Sequence, residues 1–387
     1  MPSAPSTPPH RFFASTMVIL GAIIGAGVLG IPYVVAAVGL TTGLLYVLGL
    51  GLIVLVLHLM VCELVLITPE PMQIGGLVGR YVGPSAGRLV GWSMAATGVC
   101  AMVAYLLGIG TTADLLFHQV IPYSSPQLWM GIAWLLMTFV VVRGARVLAR
   151  LDGVFVTLIF LAIFLLLLLS VPHINYTPVL QASWRNFFMP YGVILFAFMG
   201  LSSIATAEEI VPRHPRILRK SVLWASSISI VLYLIFAWTM VCVMGAATPA
   251  VATHGIGLYL GPIAHIFGNL FALTAMLGAL CTMAYAMRRA LEWDLHYRKV
   301  IAVACTVGIP IAIIGVGVRD FILAMSVAGA VFGSMNAVLI CIAYVRALHS
   351  RGGARMYHRF GSWSVSLVVL VFAIAAVLTI AGIARSL

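Results

Sequence analysis

Charge is what this sequence has least of. Of its 387 residues only 8% are Asp, Glu, Lys or Arg, while 63% are hydrophobic. A soluble globule keeps about a quarter of its residues charged to cover its surface, so a soluble domain is excluded, and a disordered chain with it. Acid is scarcer than base, 9 residues against 21, which leaves a net charge of +12. Cysteine is present six times, but always inside an apolar run and never as CxxC or CxxH. That excludes a zinc site and gives no disulfide framework. HExxH, paired aspartates at membrane depth and a Ser–His pair are all missing, so the chain lacks what an intramembrane enzyme needs. A selectivity-filter loop or a ring of charge is also missing, which argues against a channel. The opening MPSAPSTPPH carries no basic leader before the first apolar run. It reads as a disordered tail over residues 1–12 and not as a signal peptide.

What is abundant is apolar sequence in long runs. A membrane-spanning helix needs about 20 mostly apolar residues. Eleven runs meet that length, near 13–38, 41–67, 86–117, 126–142, 151–171, 187–207, 221–244, 263–287, 299–318, 321–345 and 363–384. The fold class is therefore an all-α polytopic membrane protein with eleven transmembrane helices. Threading the chain through them puts 18 of the 21 basic residues on one side and only Arg185, Arg319 and Arg385 on the other. By the positive-inside rule the N-terminus is cytoplasmic and the C-terminus external, in the plasma membrane. The positive charge thus expresses topology and attraction to the lipid bilayer, not to nucleic acid.

Two runs carry breaks. Span 1 holds Gly21, Gly25, Gly27 and Gly30 followed by Pro32, and span 6 holds Gly200 followed by Ser202 and Ser203. Glycine inside a helix costs about 1 kcal/mol relative to alanine, and proline more. Unwound backbone at bilayer depth is tolerated only where protein or a water-filled cavity satisfies it. Span 1 opens one block of five helices and span 6 opens the next in the opposite direction. That is the arrangement of an inverted repeat with a binding site at its broken helices. A small-xxx-small packing face explains Gly21 and Gly25 alone, but not a second break at the matching place.

GAIIGAGVLGIPYVVAAVG over residues 21–39 and FAFMGLSSIATAEEIVPRHPR over 196–216 resemble the first- and sixth-helix stretches of the amino acid–polyamine–organocation superfamily, in its amino acid/auxin and aromatic amino acid permease branches. The resemblance implies a leucine-transporter-type fold. Its first five-helix repeat is expected at 13–171, its inverted second repeat at 187–346, and an eleventh helix at 361–387. It also implies secondary transport of an amino acid by alternating access, with Na+ or H+ as the coupled ion and no other cofactor. A carrier of another small solute, such as a polyamine or purine, an uncoupled exchanger and a structural membrane subunit remain as alternatives.

Within that expectation, unwound Gly25, Ala26 and Gly27 offer free N–H groups at the positive end of a half-helix, where a carboxylate binds. Carbonyls of Phe196, Ala197 and Phe198 would receive the ammonium group. Met199, Ser202 and Ser203, with Met102 and Tyr105 of span 3, would face the substrate side chain, although Met102 and Tyr105 equally fit an ordinary helix interface. In sodium-coupled relatives a cation lies between the first and eighth helices. The matching positions here are Gly21 and Ile24 opposite Ala279 and Thr282. The lysine that some proton-coupled relatives carry in span 5 has no counterpart in 151–171. Only Glu63 and Asp114 are expected as acids within spans, each near an end, which favours a neutral amino acid. His58 and Glu63 are the candidate proton carriers, against a packing histidine and an interfacial carboxylate. Glu208, Glu209 and Arg213 are the candidate inner gate, against a solvated charge cluster.

Overall fold

The computed structural model describes residues 8–25, 27–118, 120–175, 186–212, 214–316, 328–350, 360–361, 363, 365–374 and 377. Ala26 and Arg213, both named above, lie outside the described residues, as do the loop 351–359 and the basic residues Arg185, Arg319 and Arg385.

The described chain is helical from end to end. α1 (Pro8–Ile23) and α2 (Gly27–Val38) form the first span, bent by 49°. α3 (Leu40–Ile67), the short α4 (Ile74–Tyr81), α5 (Pro84–Phe117), α6 (Pro126–Arg143) and α7 (Ala145–Ser170) follow. α8 (Met189–Phe198) and α9 (Leu201–Ile210) are the two arms of the sixth span. After them come α10 (Pro215–Met244), α11 (Ala252–Trp293), α12 (Lys299–Val316), α13 (Ser334–His349, entered through a π-helical turn at Ala328–Gly333) and α14 (Val365–Ile374). Among the described residues nine helices are long and apolar enough to cross a membrane, or ten if the bent α1–α2 pair is one span. α14 is shorter.

Three boundaries differ from the apolar runs, each for a local reason. α1 begins at Pro8, inside the expected disordered tail, because prolines suit a first helical turn whose N–H groups have no partner anyway. Arg11 then reaches His214 at 2.7 Å and Ser15 reaches Ser221 at 2.6 Å, fixing that arm to α10. α7 begins at Ala145, six residues before its apolar run, because Gly144 (φ 101°) turns the chain directly out of α6. α11 begins at Ala252 and kinks at Gly261 (φ 83°) ahead of Pro262, so a short arm precedes the long helix.

α11 and the α8–α9 pair are the most enclosed spans, while α6 and α12 are mostly exposed and present Leu135, Phe139, Val300 and Ile309 outward, as lipid-facing helices do. The arms of the two broken spans lie side by side, α1 with α9 and α2 with α8, and α3, α7, α10 and α11 pack around them. The arginines collect at one end. Arg219 meets Glu63, Arg289 meets Glu209, Arg288 donates to the Val141 carbonyl and Arg346 to the Val82 carbonyl. We call this end the basic face. There Asp294, just beyond α11, accepts from the backbone N–H groups of Gln73 and Gly76 and so caps α4. Burial pushes its carboxyl pKa up, partly offset by those two hydrogen bonds.

Candidate functional site

The two breaks touch each other. α1 ends at Ile23, and Gly25 N–H turns back onto the Ile23 carbonyl at 2.9 Å. In the sixth span Met199 is extended (φ −71°, ψ 98°) and Gly200 (φ −127°, ψ 18°) starts α9, where the Ser203 hydroxyl and N–H both cap the Gly200 carbonyl. A Cβ on Gly27 would stand 2.5 Å from Ala197 Cα, and one on Gly200 would stand 2.6 Å from Ile23 Cγ1. Gly27 is needed because two backbones approach there, and Gly200 because the Ile23 side chain occupies the space of a Cβ, uses of glycine that sequence alone could not separate from flexibility.

Tyr233 of α10, fully buried, ties the breaks together. Its hydroxyl lies 2.7 Å from the Ile23 carbonyl and 3.0 Å from the Ala197 carbonyl. A phenol has one hydrogen to donate, so the two carbonyls share it. The Phe196 carbonyl accepts from Met199 N–H at 3.0 Å. Two of the three carbonyls expected to receive an ammonium group are therefore engaged already.

Beside the breaks lies a narrow, partly open cavity of about 40 Å³. Of the sequence-predicted residues, Tyr105, Met199, Ser202, Ser203, Ala279 and Thr282 line it. Gly25 does not, but a Cβ there would stand 2.7 Å from Ala279 Cβ and 3.1 Å from the Tyr105 hydroxyl, so it packs directly on the lining. Phe196, Ala197, Phe198 and Met102 are buried among core residues away from the wall. Gly21 and Ile24 are buried on α1 and at its end. His58 is buried with Nδ1 2.8 Å from the Ser226 hydroxyl, tying α3 to α10.

One expectation is corrected here. Acids within the membrane are not confined to Glu63 and Asp114, because Asp152 is fully buried in α7. It lies seven residues from the helix start, roughly 10 Å along the axis. Its Oδ2 accepts from Thr282 Oγ1 at 3.0 Å, and its Oδ1 has no hydrogen-bond partner. A Cβ on Gly21 would stand 3.0 Å from its Cγ, and one on Gly278 3.8 Å from its Oδ1. Gly21 of span 1 and Thr282 of span 8, two of the expected cation positions, therefore meet at a carboxylate that lies at the very start of the 151–171 run and was not counted among the acids within spans.

The other acids are accounted for. Glu63 is fully buried and takes Arg219 in a forked pair, Nε–Oε1 2.9 Å and Nη2–Oε2 3.3 Å. Asp114 accepts from Ser124 at 2.5 Å. Glu209 joins α9 to α11 through Arg289 at 2.5 Å and the Tyr285 hydroxyl at 3.1 Å. Arg289 also holds Glu292 at 3.0 Å and lies over the Trp293 ring. Glu208 is half-buried. Among the described residues the ion-pair partner of Glu209 is thus Arg289, whose position just past the span 8 run gave no signal of it.

Broken helices meeting beside a buried cavity, in a bundle of apolar spans, define the class: a secondary transporter that works by alternating access, not an enzyme. The fold is that of the leucine-transporter type. The chain matches MhsT in complex with L-phenylalanine with a TM-score of 0.61 and 14% identity, over 95% of this chain and 97% of that one. It matches a variant of the manganese transporter of Eremococcus coleocola with a TM-score of 0.68 and 15% identity, over 100% and 89%. One fold thus serves cargoes as different as an amino acid and a metal ion, and the fold alone leaves the cargo open. Sequence narrows it: residues 9–380 match the model of the tryptophan/tyrosine permease family, and the chain belongs to that family. It is also similar to Glutamine transporter 2 of Aliivibrio fischeri, 21% identical over 88% of this chain and 90% of the relative.

Proposed function

We propose that this chain carries a neutral amino acid across the plasma membrane, with its N-terminus cytoplasmic and its C-terminus external. The inverted repeats at 13–171 and 187–346, followed by an eleventh helix at 361–387, alternate access to a site at the two breaks. The observation that carries this reading is the meeting of both breaks beside the cavity in a member of the tryptophan/tyrosine permease family. Tryptophan, tyrosine and glutamine share an α-carboxylate and an α-ammonium group. The N-terminal end of α2, around Gly25, Ala26 and Gly27, suits the carboxylate. The ammonium group would compete with Tyr233 for the Ala197 carbonyl, which couples occupancy to the tie between the breaks. Met199, Ser202, Ser203 and Tyr105 face the side chain.

Coupling belongs at Asp152. A carboxylate buried with one hydroxyl partner needs a companion, a proton or a cation, to be stable at that depth. Its orphan Oδ1 and the Thr282 hydroxyl are oxygen donors of the kind that hard cations take. Gly21 of α1 and Gly278 of α11 flank it, so movement of α1 would expose or cover the ion, with Ile24 and Ala279 as the further candidate positions. Glu209 and Arg289 act as the inner gate, joining an arm of a broken span to α11.

Thermal unfolding of the purified protein with tryptophan and with tryptamine tests the binding mode. Only a ligand bound to the folded state raises the midpoint. Tryptophan should raise it and tryptamine, lacking the carboxylate, should not. An equal shift would remove the role given to Gly25–Gly27.

A further inference from the structure

We propose that Asn336 of α13 and Thr97 of α5 form a side-chain subsite for amino acids bearing an N–H or O–H donor on a large side chain. The proposal rests on the amino-acid reading above and specifies what it selects.

The cavity does not stop at the breaks. Ala279, Thr282, Met283 and Ala286 carry it along one face of α11, and Met94 and Thr97 continue it on α5. From Ala279 to Ala286 the helix rises roughly 10 Å toward the basic face. That length accommodates a bulky side chain extending from main-chain groups held at the breaks. Met94, Met283 and Ala286 make this part apolar, as an aromatic body requires.

Two polar atoms interrupt it. Asn336 is only 2% exposed, and its Nδ2 rests on Met94 Sδ at 3.1 Å while its Oδ1 has no partner. Thr97 Oγ1 is buried and also has no partner. Among the described residues Thr97 shares this state with Thr253 and with Ser93 one turn away, but only Thr97 of the three lines the cavity. Thr111, Thr138, Thr157, Thr274 and Thr306 each return their hydroxyl to a carbonyl one turn back, as helical threonines do. Thr97 does not. Buried acceptors are normally satisfied, because leaving one bare is costly. Here the two orphans share the lining of one cavity, next to the residues that would face a substrate side chain. An indole N–H, a phenol O–H or a carboxamide N–H supplies the missing donor. An aliphatic or phenyl side chain fills the apolar space and leaves both atoms unmet.

The experiment compares matched ligands on the full-length purified protein, with apparent affinities from ligand-dependent melting. The pairs are tryptophan against 3-benzothienylalanine, which replaces the indole N–H with sulfur at nearly constant shape, tyrosine against phenylalanine, and glutamine against norleucine. The donor-bearing member of the recognised pair should bind about 10-fold or more tightly. Asn336→Leu and Thr97→Val should each reduce that ratio by weakening the donor-bearing ligand, with the donor-free ligand held. Equal affinity within every pair in the wild-type protein overturns the subsite and leaves the amino-acid reading standing. Unchanged ratios in both folded variants overturn the assignment of these two residues. Binding of no ligand in the panel sinks the amino-acid reading, and the subsite with it. The wild-type comparison decides the matter even if Asn336→Leu fails to fold.

Discussion

Glu63 and Asp152 are both fully buried carboxylates, one in α3 and one in α7, and their surroundings differ completely. Glu63 sits near the basic face and holds Arg219 through both oxygens. Asp152 sits deeper and holds only the Thr282 hydroxyl, with Oδ1 bare. A buried charge with its counter-charge built in joins α3 to α10. A buried carboxylate without one needs a proton or a cation beside it to be stable. On the proposed reading the contrast separates scaffold from coupling, and it predicts opposite outcomes for the same kind of substitution.

The largest expected loss of stability follows Glu63→Ala, which takes from the partly buried Arg219 the carboxylate it grips through both nitrogens. Removing one partner of a buried pair costs about 3–5 kcal/mol, so the melting midpoint should fall sharply and the yield of folded protein with it. A midpoint unchanged from wild type would mean that the pair is not structural. Next comes Tyr233→Phe, which removes the hydroxyl shared by the Ile23 and Ala197 carbonyls and leaves Ile23 only its Gly25 N–H. Leaving a buried acceptor unsatisfied costs about 1–3 kcal/mol. Slower exchange should accompany the lower midpoint, because the two breaks lose their common tie. Arg289→Gln acts on a partly exposed pair, where an ion pair contributes about 0–1 kcal/mol. Stability should change little, whereas labelling of a cysteine placed at Ala286 from the basic-face side should speed up. Smallest in stability is Asp152→Asn, which removes a charge without a partner at nearly constant shape. The midpoint should hold or rise. Its effect falls on coupling instead: uptake driven by an ion gradient should disappear while substrate exchange continues. Gradient-driven accumulation equal to wild type would erase the contrast with Glu63.

How far these features could be read from sequence depends on whether their cause is local. Hydrophobic length located the spans, and the glycines at 25, 27 and 200 located the breaks, because both signals sit within one segment. The contacts that make the breaks a site are tertiary. Tyr233 is one aromatic residue among many in an apolar helix until the fold sets it against two carbonyls from distant spans. Asp152 went unseen for a different reason. It is the second residue of the 151–171 run, right after Arg146 and Arg150, where a carboxylate reads as the interfacial end of a span. Gly144 was the overlooked signal, since a one-residue turn starts the helix at Ala145 and sets Asp152 two turns along it. The short α4 and the arm before Gly261 lack the apolar length that marks a span. Arg289 and Arg288 looked like ordinary boundary residues of span 8. Their pairing with Glu209 and with the Val141 carbonyl is set only by how α9, α6 and α11 pack.

The most direct test of amino acid transport coupled through Asp152 is uptake in proteoliposomes holding wild-type protein or Asp152→Asn. Labelled tryptophan, tyrosine and glutamine are supplied under four conditions: a sodium gradient or choline, each with and without an inward pH gradient. A parallel set is preloaded with unlabelled substrate. The account predicts that wild-type protein accumulates at least one of these amino acids under one of the gradients. Asp152→Asn should exchange the same amino acid into preloaded vesicles and accumulate it under none. Wild-type vesicles that neither accumulate nor exchange any amino acid, or an Asp152→Asn protein that accumulates as wild type does, would contradict it.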